Sequence, residues 1–262
     1  MRLEEVRAPG RDGEPRAGTL RVVGIGPGHP LDRTLRAVQA IERSEVLMGY
    51  APYLDSVRDL WGDRRVERSA MRKEVERCRE ALATALSGRE VALLCSGDAG
   101  VYGMAGLVLE IARGMESRPA IEIVPGLTAA NAAGASLGAP LMLDYAVVSL
   151  SDLLVPWDRI RRRLEFLAQA DLPVVIYNPR SRGRVRQISE AQEIFLRYRS
   201  GATWVAVVTE ASTAGEVREI ADLASFTRLE IGMRSVVVVC GSDALRWNDV
   251  LLAPRGYSVV SA

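Results

Sequence analysis

Three apolar runs in the first half of the chain, "LRVVGI", "VALLC" and "IEIV", each end in a glycine-bearing turn and lead toward a helix-like stretch. No other feature constrains the fold as much. A run that is apolar at nearly every position suits a strand covered on both faces, and such strands belong to parallel sheets wrapped by helices. Strands are expected at "TLRVVGI", "EVLMGY", "VALLCSG" and "IEIVPG". Leu35, Val38 and Ile41 mark one helix face between them, and Val75, Cys78, Leu82 and Leu86 another. "VYGMAGLVLEIARGM" and the small-residue stretch "LTAANAAGASLG" read as two further helices.

The second half repeats the rhythm less regularly. Strands are expected at "AVVSL", "PVVIYNP", "TWVAVVTE" and "SVVVVCG", and helices at "VPWDRIRRRLEFLAQA", with Ile160, Leu164 and Leu167 inward, and "RVRQISEAQEIFLRYR". The segment "GAPLMLDY", with Gly138 and Pro140, is the expected boundary, giving α/β domains over residues 19–140 and 141–262. Residues 1–18 are polar, aperiodic and rich in Gly and Pro, as expected of a flexible tail.

Composition narrows the function classes. A net charge of +1 over 262 residues provides no global field to recruit nucleic acid or a membrane surface. No apolar run approaches the ~18 residues of a membrane span, and the N-terminus is charged, so a cytoplasmic enzyme is expected. Cys78, Cys95 and Cys240 lack CxxC spacing and sit in apolar runs, which suits buried free thiols. The one histidine, His29, excludes most His-based metal sites and a Ser-His-Asp triad. Chemistry here needs no nucleophile activated by imidazole.

The first turn carries Gly24, Gly26 and Gly28, yet it fits neither phosphate cradle. A Walker loop needs Lys-Ser/Thr where His29-Pro30 stand, and a dinucleotide fingerprint needs an acidic residue where Met48-Gly49-Tyr50 lie. Asp98, in "CSGDAGVYGMA", sits just past a strand's carboxyl end, where ligands bind in open α/β sheets; it also suits a helix cap. In "IVPGLTAANA", Thr128 suits either a cap or a ligand bond, and the alanines after it permit close approach. Three such turns on one sheet edge would build a crevice of small residues with few charges, suited to a neutral or zwitterionic ligand.

The set "VGIGPGHP", "SGDAGVYGMA", "VPGLTAANAA" and "YNPRS" resembles the class III, tetrapyrrole-type S-adenosylmethionine methyltransferases. "GAPLMLDYAVVSLSDLLVPW", "IYNPRSR" and "APRGY" resemble, more narrowly, the precorrin-3B C-17 methyltransferases of cobalamin biosynthesis, from about Leu20 to Tyr257. The resemblance implies two α/β domains with the cofactor in the cleft between them, a homodimer, and a precorrin-type tetrapyrrole substrate. It implies that Pro27, Gly28, Gly97, Asp98, Val101, Tyr102, Thr128 and Ala129 face S-adenosylmethionine, with Asn178, Ala211 and Ser235 on the adenine side.

In this branch methylation at C-17 accompanies ring contraction, for which Asp144 and Asp152 are candidate acids or bases. Tyr145, Arg180 and Arg182 are candidates for the carboxylate-rich substrate, within a cluster that includes Arg184 and Arg186. The chain departs from the family pattern at Leu143, where a histidine is common, at Ala99, and in "TEASTAGE". Two alternatives remain open: methylation at another ring carbon, and a tetrapyrrole-binding homologue without catalysis.

Overall fold

The structure is a computed structural model that describes residues 17–257; of the tail expected over residues 1–18, residues 1–16 lie outside the described residues. The chain divides between Thr128 and Ala129 into two compact units. The first runs β1 (Thr19–Gly24), α1 (Leu35–Glu42), β2 (Val46–Tyr50), α2 (Ala51–Asp55), β3 (Arg65–Ser69), α3 (Glu74–Leu86), β4 (Val91–Cys95), α4 (Ala105–Arg113) and β5 (Ala120–Val124). The strands form one parallel sheet in the order β3-β2-β4-β1-β5.

Alternation along β1 and β4 builds a core on each face of this sheet. Leu20, Val22, Val91, Leu93 and Cys95 pack with Cys78, Leu82 and Val108 of α3 and α4. Val23, Ala92 and Leu94 pack on the other side with Ala37 and Ile41 of α1 and Leu54 of α2. Arg21 interrupts the apolar run of the central strand and is buried nonetheless, because Glu90 and Glu122 hold its guanidinium at 2.5 and 3.2 Å.

The inward stripe of α1 differs from the one expected. Ile41 is buried as expected, but Leu35 is 72% exposed and Val38 half-buried, while Ala37 and Ala40 complete the inward face. The two alanines let the helix lie close to the sheet, leaving Leu35 on the first turn outside the contact.

The second unit runs α5 (Ala129–Leu137), β6 (Gly138–Ala139), β7 (Ala146–Ser149), α6 (Trp157–Gln169), β8 (Val174–Tyr177), α7 (Gln187–Leu196), β9 (Trp204–Thr209), β10 (Val217–Asp222), β11 (Ser235–Val239), β12 (Leu245–Trp247) and β13 (Val250–Leu252). Its main sheet has the order β10-β9-β11-β8-β7, with only β7 and β8 parallel. The βαβ rhythm persists through β7–α6–β8 and then gives way. The loop joining β9 to β10 is too short for a crossover, so those strands form an antiparallel hairpin. A small second sheet joins β12, β13 and β6.

The sequence reading assigned α5 to the first domain, with the boundary after Pro140. Contacts place α5 in the second unit, where the Ala130 N–H donates to the Tyr177 hydroxyl at 2.8 Å. Helix α7 begins at Gln187, later than "RVRQ" suggested, because Ser181 and Arg184 close a tight turn by mutual backbone bonds of 2.9 and 3.2 Å. Among the described residues no helix is long and apolar enough to cross a membrane.

Candidate functional site

Within the first unit, β4, β1 and β5 are neighbours whose ends are level. Gly24 pairs with Cys95, and Val23 with Val124. The three glycine-bearing turns therefore leave one edge of one sheet, as the alternation of the sequence required. They also bond directly to one another. Gly26 and Gly97 exchange backbone hydrogen bonds of 3.0 and 2.8 Å, and Asp98 Oδ2 accepts from the Gly126 N–H at 2.9 Å.

Asp98 Oδ1 meanwhile accepts from the N–H groups of Gly100 (2.7 Å) and Val101 (3.1 Å). Asp98 is not the helix cap the sequence also allowed, since α4 begins only at Ala105 behind Met104; the same carboxylate instead closes its own turn and ties it to the next. Its oxygens are committed to shaping the turns, so a ligand here meets the backbone that Asp98 holds in place.

Close approach explains the glycines. A Cβ on Gly126 would lie 2.2 Å from the Gly97 carbonyl oxygen and 2.6 Å from that of Gly24; one on Gly24 would lie 2.7 Å from the Gly97 oxygen. Real Cβ atoms do not approach that near, so only glycine lets the three exits interlock. Thr34 adds a fourth tie by accepting from the Ala37 N–H at 3.0 Å as the cap of α1 and donating to the Pro125 carbonyl at 3.1 Å. His29 takes a local role, with its Nδ1 accepting from the Leu31 N–H at 3.2 Å to cap the turn Pro30–Asp32.

Around this frame Pro27 and Gly28 are half-buried, while Val101 and Tyr102 are exposed, Tyr102 with a left-handed φ of +56°. Among Pro27, Gly28, Gly97, Asp98, Val101, Tyr102 and Thr128 the one charged group is the Asp98 carboxylate. A cationic sulfonium meets no like charge from these residues, so their chemistry fits the cofactor that the sequence resemblance implies. Cys95, behind the second turn, accepts from the Met104 N–H at 3.4 Å, and burial pushes its thiol up to about 12. It is a packed side chain at this pH range, with no nucleophilic character.

In the second unit the carboxyl ends of the parallel pair β7 and β8 carry a polar cluster. Asn178 leaves β8 with φ +50°, a conformation asparagine tolerates, and its Nδ2 donates to Ser149 Oγ at 2.9 Å. Ser149 Oγ also accepts from the Ser151 N–H at 3.1 Å, turning the chain toward Asp152. Asp152 Oδ2 accepts from Gln187 Nε2 at 2.8 Å, while Arg184 Nε donates to the Asn178 carbonyl at 2.9 Å. Two of the expected residues, Asn178 and Asp152, are thus brought into one network. Ser149 and Gln187 join them there; a serine closing "AVVS" and a glutamine opening a helix carried no signal of their own.

The other expected residues are dispersed. Asp144 is exposed and forms no ion pair among the described residues, and Arg182 is exposed as well. Tyr145 lines a pocket of about 230 Å³ with Asn131, Gly134, Pro140 and Met142. Leu143, standing where the resemblance expects histidine, is 44% exposed. Arg180 is half-buried, and its Nε is buried without a partner.

Ala211 is buried between Glu210 and Ser212, both with positive φ, and the loop is held by Glu216, which accepts from the Ser212 N–H at 2.7 Å and from Ser136 Oγ. That bond gives the unusual "TEASTAGE" segment a structural reason, since Glu216 ties it to α5. Ser235 is buried too, and its hydroxyl is engaged by Thr209 Oγ1 at 2.7 Å and the Gly232 N–H at 2.9 Å. The Ser235 hydroxyl joins strand ends, whatever its backbone offers a ligand.

The family described as Tetrapyrrole (Corrin/Porphyrin) Methylases matches residues 19–227. The chain is 43% identical over 244 residues to the cobalt-factor III methyltransferase of Priestia megaterium, covering 92% of this chain and 45% of that protein. It is 39% identical over 240 residues to the probable cobalt-factor III C(17)-methyltransferase of Salmonella typhimurium, covering 92% of this chain and 100% of the relative. Among solved structures, the methyltransferase CobJ superposes with a TM-score of 0.86 at 30% identity, covering 91% of this chain and 100% of that one.

Proposed function

Since this chain belongs to the Tetrapyrrole (Corrin/Porphyrin) Methylases, we propose that it transfers a methyl group from S-adenosylmethionine to C-17 of a precorrin-type macrocycle, with ring contraction, in cobalamin biosynthesis. The observation that carries this reading is the 39% identity to a C(17)-methyltransferase along that relative's entire length. The names of the Priestia and Salmonella relatives both specify a cobalt factor, which supports a cobalt-containing substrate over metal-free precorrin-3B.

When bound, S-adenosylmethionine supplies an electrophilic methyl group on sulfur, and the electron-rich macrocycle supplies the carbon nucleophile. The protein's task is to position the reactants, which in favourable cases lowers a barrier by roughly 7–11 kcal/mol. In this proposal the Asp98-tied turns, with Pro27, Gly28, Gly97, Val101, Tyr102 and Thr128, hold the methionine and ribose portions. Ala129 belongs with Thr128 to that same set, and Asn178, Ala211 and the Ser235 backbone serve the adenine side. Asp144 and Asp152 carry protons for ring contraction, and Tyr145, Arg180 and Arg182 contact substrate. The proposed assembly is a cytoplasmic homodimer, checked by light scattering.

Incubation with S-adenosylmethionine and either the cobalt-containing or the metal-free substrate, followed by product mass, tests the reading. One added methyl with the cobalt substrate is expected, and no gain with either substrate contradicts it. Substrate binding without methyl gain would favour the non-catalytic homologue that Leu143 keeps open.

A further inference from the structure

Arg184 is a largely buried cation that forms no ion pair among the described residues. Its side chain is 7% exposed, yet its guanidinium makes one hydrogen bond among the described residues, from Nε to the Asn178 carbonyl at 2.9 Å. Its two terminal nitrogens donate to no protein group there. Asp152 acts on Arg184 electrostatically without forming an ion pair, because Gln187 Nε2 holds the Asp152 carboxylate at 2.8 Å. Burial lowers the pKa of Arg184.

A second arginine shares the shortfall. Arg180 Nε is buried without a partner among the described residues, and Arg180 and Arg184 flank the tight turn, closed by Ser181 and Arg184, that follows β8. Gln187 is 8% exposed, and its Oε1 is likewise unpartnered. A buried charge is costly unless an opposite charge meets it, and a guanidinium fork with free terminal nitrogens matches a carboxylate in two parallel hydrogen bonds. The location suits a ligand, since Arg184 is one hydrogen bond from Asn178 at the carboxyl end of a parallel strand.

We propose that Arg184, assisted by Arg180, receives a side-chain carboxylate of the tetrapyrrole substrate. Arg182 and Arg186 are exposed and make no such buried site, so the contact proposed for Arg182 is a surface one. This inference rests on the tetrapyrrole methylase reading and goes beyond it by naming the residue that anchors the macrocycle.

The test is a fluorescence titration of the full chain with a metal-free octacarboxylate porphyrin, paired with calorimetry using S-adenosylhomocysteine. Arg184→Gln is expected to raise the porphyrin Kd by about tenfold or more, with Arg184→Lys recovering only part of the loss. The exposed control Arg186→Gln is expected to stay within about twofold of the parent, and homocysteine-cofactor affinity to stay unchanged in Arg184→Gln.

Equal porphyrin Kd values for the parent and Arg184→Gln would overturn the proposal. A loss confined to S-adenosylhomocysteine would overturn it as well, by assigning the carboxylate to the cofactor. If Arg184→Gln does not fold, Arg180→Gln decides the matter. It removes the assisting guanidinium and is expected to raise the porphyrin Kd by about threefold or more, whereas an unchanged value overturns the proposal. A parent chain that binds no porphyrin at all contradicts the tetrapyrrole reading itself, a result distinct from failure of the arginine site alone.

Discussion

Asp98 accepts three backbone N–H bonds, two inside its own turn and one from Gly126 in the next. Asp98 is half-buried and two of these bonds are exposed, so removing the acceptor costs about 0.5–1.5 kcal/mol. Asp98→Ala is expected to lose stability in that range in a denaturant titration and to bind S-adenosylhomocysteine more weakly by calorimetry. Unchanged affinity would count against the assigned cofactor residues. Gly126→Ala acts on the same junction by steric overlap, and the backbone atoms it meets cannot swing aside. It is expected to destabilise by about 1–3 kcal/mol or more.

The cysteines predict a pH dependence. Burial raises Cys78 to about 11, and Cys95 and Cys240 to about 12, against the ordinary thiol value of 9.0. A raised thiol pKa favours the fold fully below pH 9, and that contribution is lost as pH climbs from 9 through the folded values. Native protein at pH 8 is expected to resist alkylation at all three thiols, to label at all three once denatured, and to lose stability above pH 9. Rapid native labelling would contradict the burial.

At the scale of elements, the most legible strands were those covered on both faces, although the edge strands β5 and β7 were legible from their apolar residues as well. β1, β4, β8, β9 and β11 are nearly continuous apolar runs with buried residues on both sides. β3 and β10 escaped the sequence reading because they are edge strands, "RVERS" and "VREIAD", whose charges protect an open edge and mask the alternation. The polar cluster behind β8 was legible only as a run of arginines. Which of them is buried depends on the turn at Ser181–Arg184, a tertiary fact without a local pattern.

Arg199 shows the same gap at the end of α6. It donates to the carbonyls of Ala168, Leu167, Leu172 and Cys240 and stacks on Phe195, so one side chain closes the helix against β11's exit. Arg199→Met is expected to cost about 3 kcal/mol, read as a lower denaturation midpoint. A midpoint shift of less than a third of that cost would show that water replaces the arginine readily.

For the whole molecule, one sheet is wholly parallel and the other mixed, and the family assignment spans most of both units. The proton-transfer roles proposed for Asp144 and Asp152 can be tested apart from methyl transfer. Asp152→Asn keeps an acceptor for Gln187 and is expected to slow ring contraction more than methyl gain, seen as accumulation of a methylated, uncontracted product. Equal slowing of both would assign Asp152 to positioning. The central claim is regiochemical, and carbon-13 NMR tests it directly. With S-adenosylmethionine labelled in its methyl group and the cobalt-containing substrate, the account predicts a single new methyl signal correlated to C-17. A label on any other ring carbon, or none, would contradict it.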